Sequence, residues 1–366
     1  MRLSEFDYQL PEDRIAQRPA EDRSGARMLL LDRRSGRIED AYFNAFPSLL
    51  EGNEVIVVNN VRVIPARLFG RRSSIHAEAP GKLGSKGHLS SRIEVLLTRR
   101  IEPDVWEALV RPGRKVGIGE RLHFDGEELE AEVIWRGEYG LRRLRFRAGK
   151  GIEVPEAINR IGHVPLPPYI RRPDEGSDRE RYQTVFAKHP AAVAAPTAGL
   201  HFTPAILSEV RQRGVEIVEI TLEVGLGTFQ PIRSEVLEDH VMQSEAYEIS
   251  DNAAAAIASA RSQKRPILAV GTTVVRALED AAQKSIAAGR APEAIAAGRT
   301  FADIFIRPGH RFCLIDQLLT NFHLPQSTLL ALVCAFAGRE NVLTAYRHAV
   351  ASNYRFYSYG DCMFIR

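Results

Sequence analysis

Apolar positions follow two different spacings along the chain. Between Ile93 and Thr98, Val105 and Val110, Leu129 and Trp135, and Leu141 and Phe146, they alternate with polar ones, and turns such as Gly117-Ile118-Gly119 and Asp125-Gly126 separate the segments. Period-two alternation in short, regularly spaced segments predicts strands of a small antiparallel barrel. Before it, Met28 to Leu31 and Ile38 to Phe43 flank the turn Arg34-Ser35-Gly36 and predict a hairpin. Val55 to Val58 is a continuous apolar run, the pattern of a strand buried on both faces.

From residue 151 the pattern alternates between strand and helix. Thr203-Pro204 opens a helix with Ile206, Leu207 and Val210 on one face and Gly214 after its end. Val215 to Leu222 reads as a strand, Asp251 to Gln263 as a helix, Ile267 to Val270 as a buried strand, and Val274 to Ala288 as a helix. Leu329 to Phe336 is apolar nearly all round, which predicts a buried helix. The expected fold is therefore an α/β main domain with a largely parallel sheet, formed by residues 1–66 and 151–366. A small antiparallel β-barrel, 67–150, is inserted into it, because 66 residues are too few to bury a core alone. The stretch Ser73 to Ser91, rich in Gly, Ser and Lys, predicts a loop.

Composition narrows the functional classes. The chain has 366 residues, 45% hydrophobic and 26% charged, which is an ordinary globular balance. No apolar run approaches the ~20 residues of a membrane span, and Met1-Arg2-Leu3-Ser4-Glu5 does not start a signal peptide. A cytoplasmic location is the expectation. Only Cys313, Cys334 and Cys362 are present, at no metal-ligand spacing, so neither a disulfide framework nor a cysteine zinc site is expected. A P-loop, an H-E-x-x-H helix and a G-x-S-x-G elbow are missing. Net charge is +3, but 42 of the 49 cations are arginine, and residues 67–150 alone carry a net charge of +6. A GC-rich genome and a polyanionic partner would both produce that bias.

Five segments hold the candidate chemistry. P-T-A-G-L-H-F-T, Pro196 to Thr203, leads into a helix; Thr197, Gly199 and His201 suit an anion contact, a close backbone approach and proton movement, or else form a plain strand-to-helix turn. T-L-E-V-G-L-G-T-F-Q-P, Thr221 to Pro231, places Glu223 in apolar surroundings, as a base or a strand-end carboxylate, before Gly225 and Gly227. G-T-T-V-V-R supplies Thr272 and Arg276 after a buried strand, as a ligand site or a simple cap. D-Q-L-L-T-N-F-H-L-P-Q-S-T brings Asp316, Asn321 and His323 to the mouth of an apolar helix. N-Y-R-F-Y-S-Y-G-D interleaves Tyr354, Arg355 and Tyr359, either to stack on unpaired bases or as the aromatics of a buried C-terminal strand.

Together these segments are specific. With Phe6-Asp7-Tyr8-Gln9-Leu10-Pro11, Asn59-Asn60-Val61-Arg62-Val63-Ile64-Pro65-Ala66-Arg67, Gly162 to Ile170 and Arg181 to Ala187, the whole chain resembles the S-adenosylmethionine:tRNA ribosyltransferase-isomerase family of queuosine biosynthesis. The resemblance departs at Glu223 and Gln243, where the family usually has histidine, and at Asn60, where aspartate is frequent.

The resemblance implies transfer and isomerisation of the ribosyl moiety of S-adenosylmethionine onto 7-aminomethyl-7-deazaguanine. The acceptor base stands at the wobble position of a tRNA with a GUN-type anticodon, and epoxyqueuosine, adenine and methionine result. It also implies a monomer with no cofactor and no metal, S-adenosylmethionine being consumed. His201, Glu223, Asp316 and His323 become proton-transfer candidates. Thr197, Gly199, Gly225, Gly227, Thr272, Arg276 and Asn321 become substrate contacts, and Arg62, Arg171, Tyr354, Arg355 and Tyr359 become tRNA contacts. The alternatives are a non-catalytic tRNA-binding paralogue and an S-adenosylmethionine-dependent RNA methyltransferase. Pro231 argues against the latter, because it keeps the glycine loop from opening a helix.

Overall fold

The computed structural model describes residues 1–73, 92–125, 129–225, 232 and 234–366. Nearly all of the Ser73–Ser91 loop, and Gly227, Gln230 and Pro231, lie outside the described residues. The chain divides into two compact units. One comprises Met1–Arg62, Pro167–Pro173 and Glu180–Arg366; the other comprises Val63–Leu166 and Asp174–Arg179.

The larger unit is built on a nine-stranded sheet. From edge to edge its strands are Gly298–Ala302, Glu245–Ile249, Glu216–Leu222, Val55–Asn59, Ile267–Val270, Gln317–Asn321, Cys362–Ile365, Arg27–Leu31 and Ile38–Tyr42. The centre is parallel: Val55–Asn59 lies between Glu216–Leu222 and Ile267–Val270, and Gln317–Asn321 continues in the same direction. Antiparallel pairs border this block, among them the predicted hairpin, in which Leu31 faces Ile38. The apolar run at 55–58 has its physical reason here. Val55 and Val57 face one core, with helices Asp251–Ser262 and Thr272–Ala287, while Ile56 and Val58 face the other, with helix Pro204–Gln212. A strand covered on both faces has no polar side to show.

Chain order places the carboxyl ends of the parallel strands together. Val55–Asn59 is followed in the sheet by Glu216–Leu222 on one side and by Ile267–Val270 on the other. Connections that leave in opposite directions open a crevice at that switch point, where ligands of α/β sheets bind. Asn59 ties two of these strand ends together: Nδ2 donates to the Leu222 carbonyl at 3.0 Å, and Oδ1 accepts from the Leu222 and Val61 amides.

The smaller unit is a closed six-stranded antiparallel barrel in the order Leu141–Ala148, Val105–Arg111, Ile93–Arg100, Arg67–Ser73, Arg121–Phe124, Leu129–Arg136. All six strands fall within 67–150. The compact unit takes in more chain, because helix Val154–Ile161 packs on the barrel strands. Along Leu141–Ala148 the inward positions are Arg142, Leu144 and Phe146. Arg142 is 1% exposed and meets no carboxylate among the described residues. Its guanidinium donates instead to the carbonyls of Val116, Gly137, Leu141 and Gly113. It satisfies loop carbonyls at the barrel end that an apolar side chain would leave bare.

Replacing Arg142 by Met therefore strands several buried carbonyls, each costing about 1–3 kcal/mol. The two tryptophans, Trp106 and Trp135, both lie in barrel strands. R142M should lower the denaturant midpoint followed by tryptophan fluorescence; an unchanged midpoint would show that the carbonyls have other partners.

Candidate functional site

A cavity opens over the carboxyl ends of the parallel strands. Its enclosed part is small, about 60 Å³, and its mouth is open to solvent. Its wall brings together Thr197 after the strand His189–Ala192, Thr272 and Thr273 after Ile267–Val270, and Asn321 and His323 after Gln317–Asn321. Tyr169, Tyr357 and Ser358 complete it. Of the substrate and proton-transfer residues predicted from sequence, Thr197, Thr272, Asn321 and His323 thus converge.

Asn321 is the hub. Its Nδ2 donates to the Tyr357 carbonyl at 2.9 Å, and its Oδ1 stands 3.2 Å from His201 Nε2. Because a carbonyl only accepts, the amide orientation is set, and Nε2 of His201 must carry the proton. His201 is not itself in the cavity wall; it stands behind Asn321, against the ring of Phe43. Burial, with the positive fields of Arg23 and Arg355, takes its pKa from 6.5 down to about 4 against a smaller opposing effect of the Asn321 bond. The imidazole is neutral and acts as a strut for Asn321.

His323 is also held neutral; burial lowers its pKa to about 3. Tyr346 Oη lies 3.3 Å from Nδ1, and Thr320 Oγ1 lies 3.3 Å from Nε2. The His323 amide donates to the same tyrosine oxygen. The Tyr346 hydrogen therefore goes to Nδ1, and Nε2–H donates to Thr320. Both ring nitrogens are occupied by the core.

Other predicted residues fall elsewhere. Asp316 lies at the amino end of its strand, opposite the cavity; it pairs with Arg261 at 2.7 Å and accepts the Ile267 amide. The residue precedes the strand and Asn321 ends it, so the strand's own length separates them. Glu223 is half-buried, 2.6 Å from Arg299. Arg276 is outside the cavity wall and forms a buried ion pair with Glu245, and it also donates to the carbonyls of Gln243 and Ala302. Glu245 in turn accepts the amide of Gly225 at 3.1 Å, so the pair anchors the start of the glycine loop. Gly199 serves packing rather than ligand approach: a Cβ there would meet Phe186 at 2.7 Å and Thr184 at 2.8 Å.

The expected tRNA contacts divide likewise. Arg62 is exposed. Arg171 is exposed but forms a fork with Glu12 at 3.0 and 3.2 Å. Tyr354 and Tyr359 are core residues and offer no face to a base. The Tyr354 hydroxyl donates to Asp40 and its ring lies under Arg27, while Tyr359 packs edge-on against Tyr182. Arg355 donates to the Arg18 carbonyl.

The aromatic that does reach the cavity is Tyr357. Its φ is +71°, which reverses the side-chain alternation expected of the segment. Its ring stacks obliquely on Tyr169 at 4.7 Å, and the Tyr169 hydroxyl is 2.6 Å from Ser358 Oγ. Alternation places Tyr357 on one face with Arg355 and Tyr359, and nothing local marks it as the aromatic of this segment that reaches the cavity. Thr273, beside Thr272, and Tyr169, at the end of G-H-V-P-L-P-P-Y-I, sat inside recognised motifs without a local signal of their own.

Comparisons with known proteins agree with these motifs. The family model described as "Queuosine biosynthesis protein" matches residues 3–365. Proteins named S-adenosylmethionine:tRNA ribosyltransferase-isomerase are similar over their full length and all of this chain, at 51% identity in Solibacter usitatus and 48% in Moorella thermoacetica. The crystal structure of S-adenosylmethionine tRNA ribosyltransferase from Thermotoga maritima aligns at 34% identity with a TM-score of 0.52, covering 99% of this chain and 100% of that one.

The two buried imidazoles link stability to pH. An unfolded histidine takes a proton near pH 6.5, whereas His201 and His323 refuse it down to about pH 4 and about pH 3. Stability from this source is full above pH 6.5 and falls with pH, because the unfolded chain binds more protons. From pH 7 to pH 5 the loss should be about 2 kcal/mol for each imidazole. His201→Gln should remove about half of that combined loss in denaturant titrations at the two pH values. An identical pH dependence in H201Q would mean that His201 takes up its proton as readily in the fold as in the unfolded chain.

Proposed function

The chain belongs to the queuosine biosynthesis protein family, and on that premise we propose that it is an S-adenosylmethionine:tRNA ribosyltransferase-isomerase. The acceptor is 7-aminomethyl-7-deazaguanine at the wobble position of a tRNA with a GUN-type anticodon. Its amine takes the ribosyl carbons of S-adenosylmethionine, which rearrange to an epoxycyclopentanediol as adenine and methionine leave. The observation that carries the reading is the cavity at the carboxyl ends of the sheet, where segments of six family-like motifs meet around one set of aromatic, amide and hydroxyl groups.

The chemistry needs two heterocycles and a sulfonium held in one place. Positioning of that kind is worth up to about 7–11 kcal/mol. Tyr169 and Tyr357 offer flat faces for a heterocycle and electron-rich rings for a sulfonium. The sulfonium acidifies the adjacent C5′–H, and a base removes that proton. Of the four proton-transfer candidates only His323 lines the cavity, and it does so as a neutral ring already bonded on both sides. Its part is to hold the wall; a charged imidazole beside a sulfonium would oppose binding.

The proposal includes a cytoplasmic monomer that uses no metal or redox cofactor and consumes S-adenosylmethionine as a substrate. Three free cysteines suit a reducing compartment. Among the described residues, no single helix is long and apolar enough to cross a membrane.

Incubating the protein with S-adenosylmethionine and tRNA carrying the aminomethyl-deazaguanine base should release adenine one-for-one with modified tRNA, measured by chromatography. S-adenosylhomocysteine in place of adenine, or bound tRNA with neither product, would contradict ribosyl transfer.

A further inference from the structure

Helix Thr272–Ala287 begins in the cavity wall with a glycine cap. Gly271 has φ +92° and ψ 152°, a conformation for glycine alone, and it has no side chain to cap the first turn. The N–H groups of Thr272, Thr273 and Val274 precede the first intrahelical bond, which runs from Val275 to the Gly271 carbonyl. They sit at the positive end of a 16-residue helix. A second, independent feature marks the same place. Thr273 is 7% exposed, lines the cavity, and its Oγ1 has no hydrogen-bond partner. A buried hydroxyl left without a partner lowers stability, so its retention calls for a ligand that completes it.

The geometry points to a carboxylate subsite here: the Thr273 hydroxyl and the first-turn amides of this helix receive the carboxylate of the methionyl portion of S-adenosylmethionine. This assignment rests on the function proposed above. The chemistry of the pocket selects the group. Arg276, one turn further along the helix, is neutralised by Glu245, so among the described residues the site offers a dipole and neutral donors. That combination suits one negative charge with two acceptor oxygens. A tRNA phosphodiester carries a nucleoside on each side and cannot bring its oxygens to side chains as enclosed as Thr272 and Thr273. A carboxylate at the end of a flexible chain can. With the methionyl end fixed at the helix, the adenosyl end is left to extend along Tyr357 and Tyr169, which line the same cavity.

Thr273→Val has nearly the same shape as threonine and removes only the hydroxyl. The variant should melt at a higher temperature than wild type, because the unpartnered group is gone. It should bind S-adenosylmethionine about ten-fold more weakly or worse, the effect of losing a hydrogen bond to a charged group. Thr273→Ser should restore binding. Calorimetry with decarboxylated S-adenosylmethionine, which keeps the sulfonium and amine, separates this role from general damage. Wild type should bind that analogue more weakly than S-adenosylmethionine, and T273V should bind it no worse than wild type does. Equal wild-type affinity for the two ligands, or an equal loss for both in T273V, overturns the subsite. Adenine release by the wild-type protein is scored separately: its absence overturns ribosyl transfer, while the carboxylate dependence of binding continues to decide the subsite.

Discussion

The buried amide of Asn321 is the contact on which the cavity depends. It ends a central strand, supports His201 on one side and the Tyr357 carbonyl on the other, and so joins three separate stretches of chain at one point. Removing it would leave the His201 imidazole N–H buried without a partner, at about 1–3 kcal/mol, and would leave the Tyr357 carbonyl with the Gly360 amide alone. Its hold on Tyr357 matters most. A tyrosine at φ +71° carries roughly 1–3 kcal/mol of backbone strain, offset here by the Asn321 bond and by the Tyr357 amide donating to the Phe322 carbonyl. That strained turn lays the ring against Tyr169 and gives the cavity its aromatic wall.

The site is electrostatically quiet. Its two histidines are neutral through burial, and Arg276, buried one turn along the helix from Thr272, is paired with Glu245. What polarity remains comes from fixed dipoles: a helix start, hydroxyls, an amide and a backbone carbonyl. Such groups stabilise partial and developing charge without reorganising. A sulfonium substrate that already bears its own activating charge suits these surroundings, since the protein has only to orient it. The ion pairs do their work outside the cavity, where Glu245 also anchors Gly225.

The sheet, the barrel and most helices were legible because each reports a local period. The all-apolar 55–58 run demanded two covered faces, and Thr203 capped its helix as its sequence predicts. The site was only half legible. Motif position marked Thr197, Thr272, Asn321 and His323, but it also marked Asp316, which the strand direction carries to the opposite end of the sheet. Polar type alone did not separate a ligand group from a strut, so His201 and Arg276 were read as chemistry when their neighbours use them for support. Tyr357 stood unmarked among the four aromatics of its segment, because the left-handed backbone at that residue has no signal in the sequence.

The account places S-adenosylmethionine at the carboxyl ends of the parallel strands. Hydrogen–deuterium exchange of the protein with and without S-adenosylmethionine tests that placement most directly. Protection should rise in Gly271–Val275, Asn321–Ser327 and Tyr357–Ser358, the backbone around the cavity. Protection confined to the cleft around Arg33, Arg261 and Asp316, at the amino ends of the strands, would contradict it.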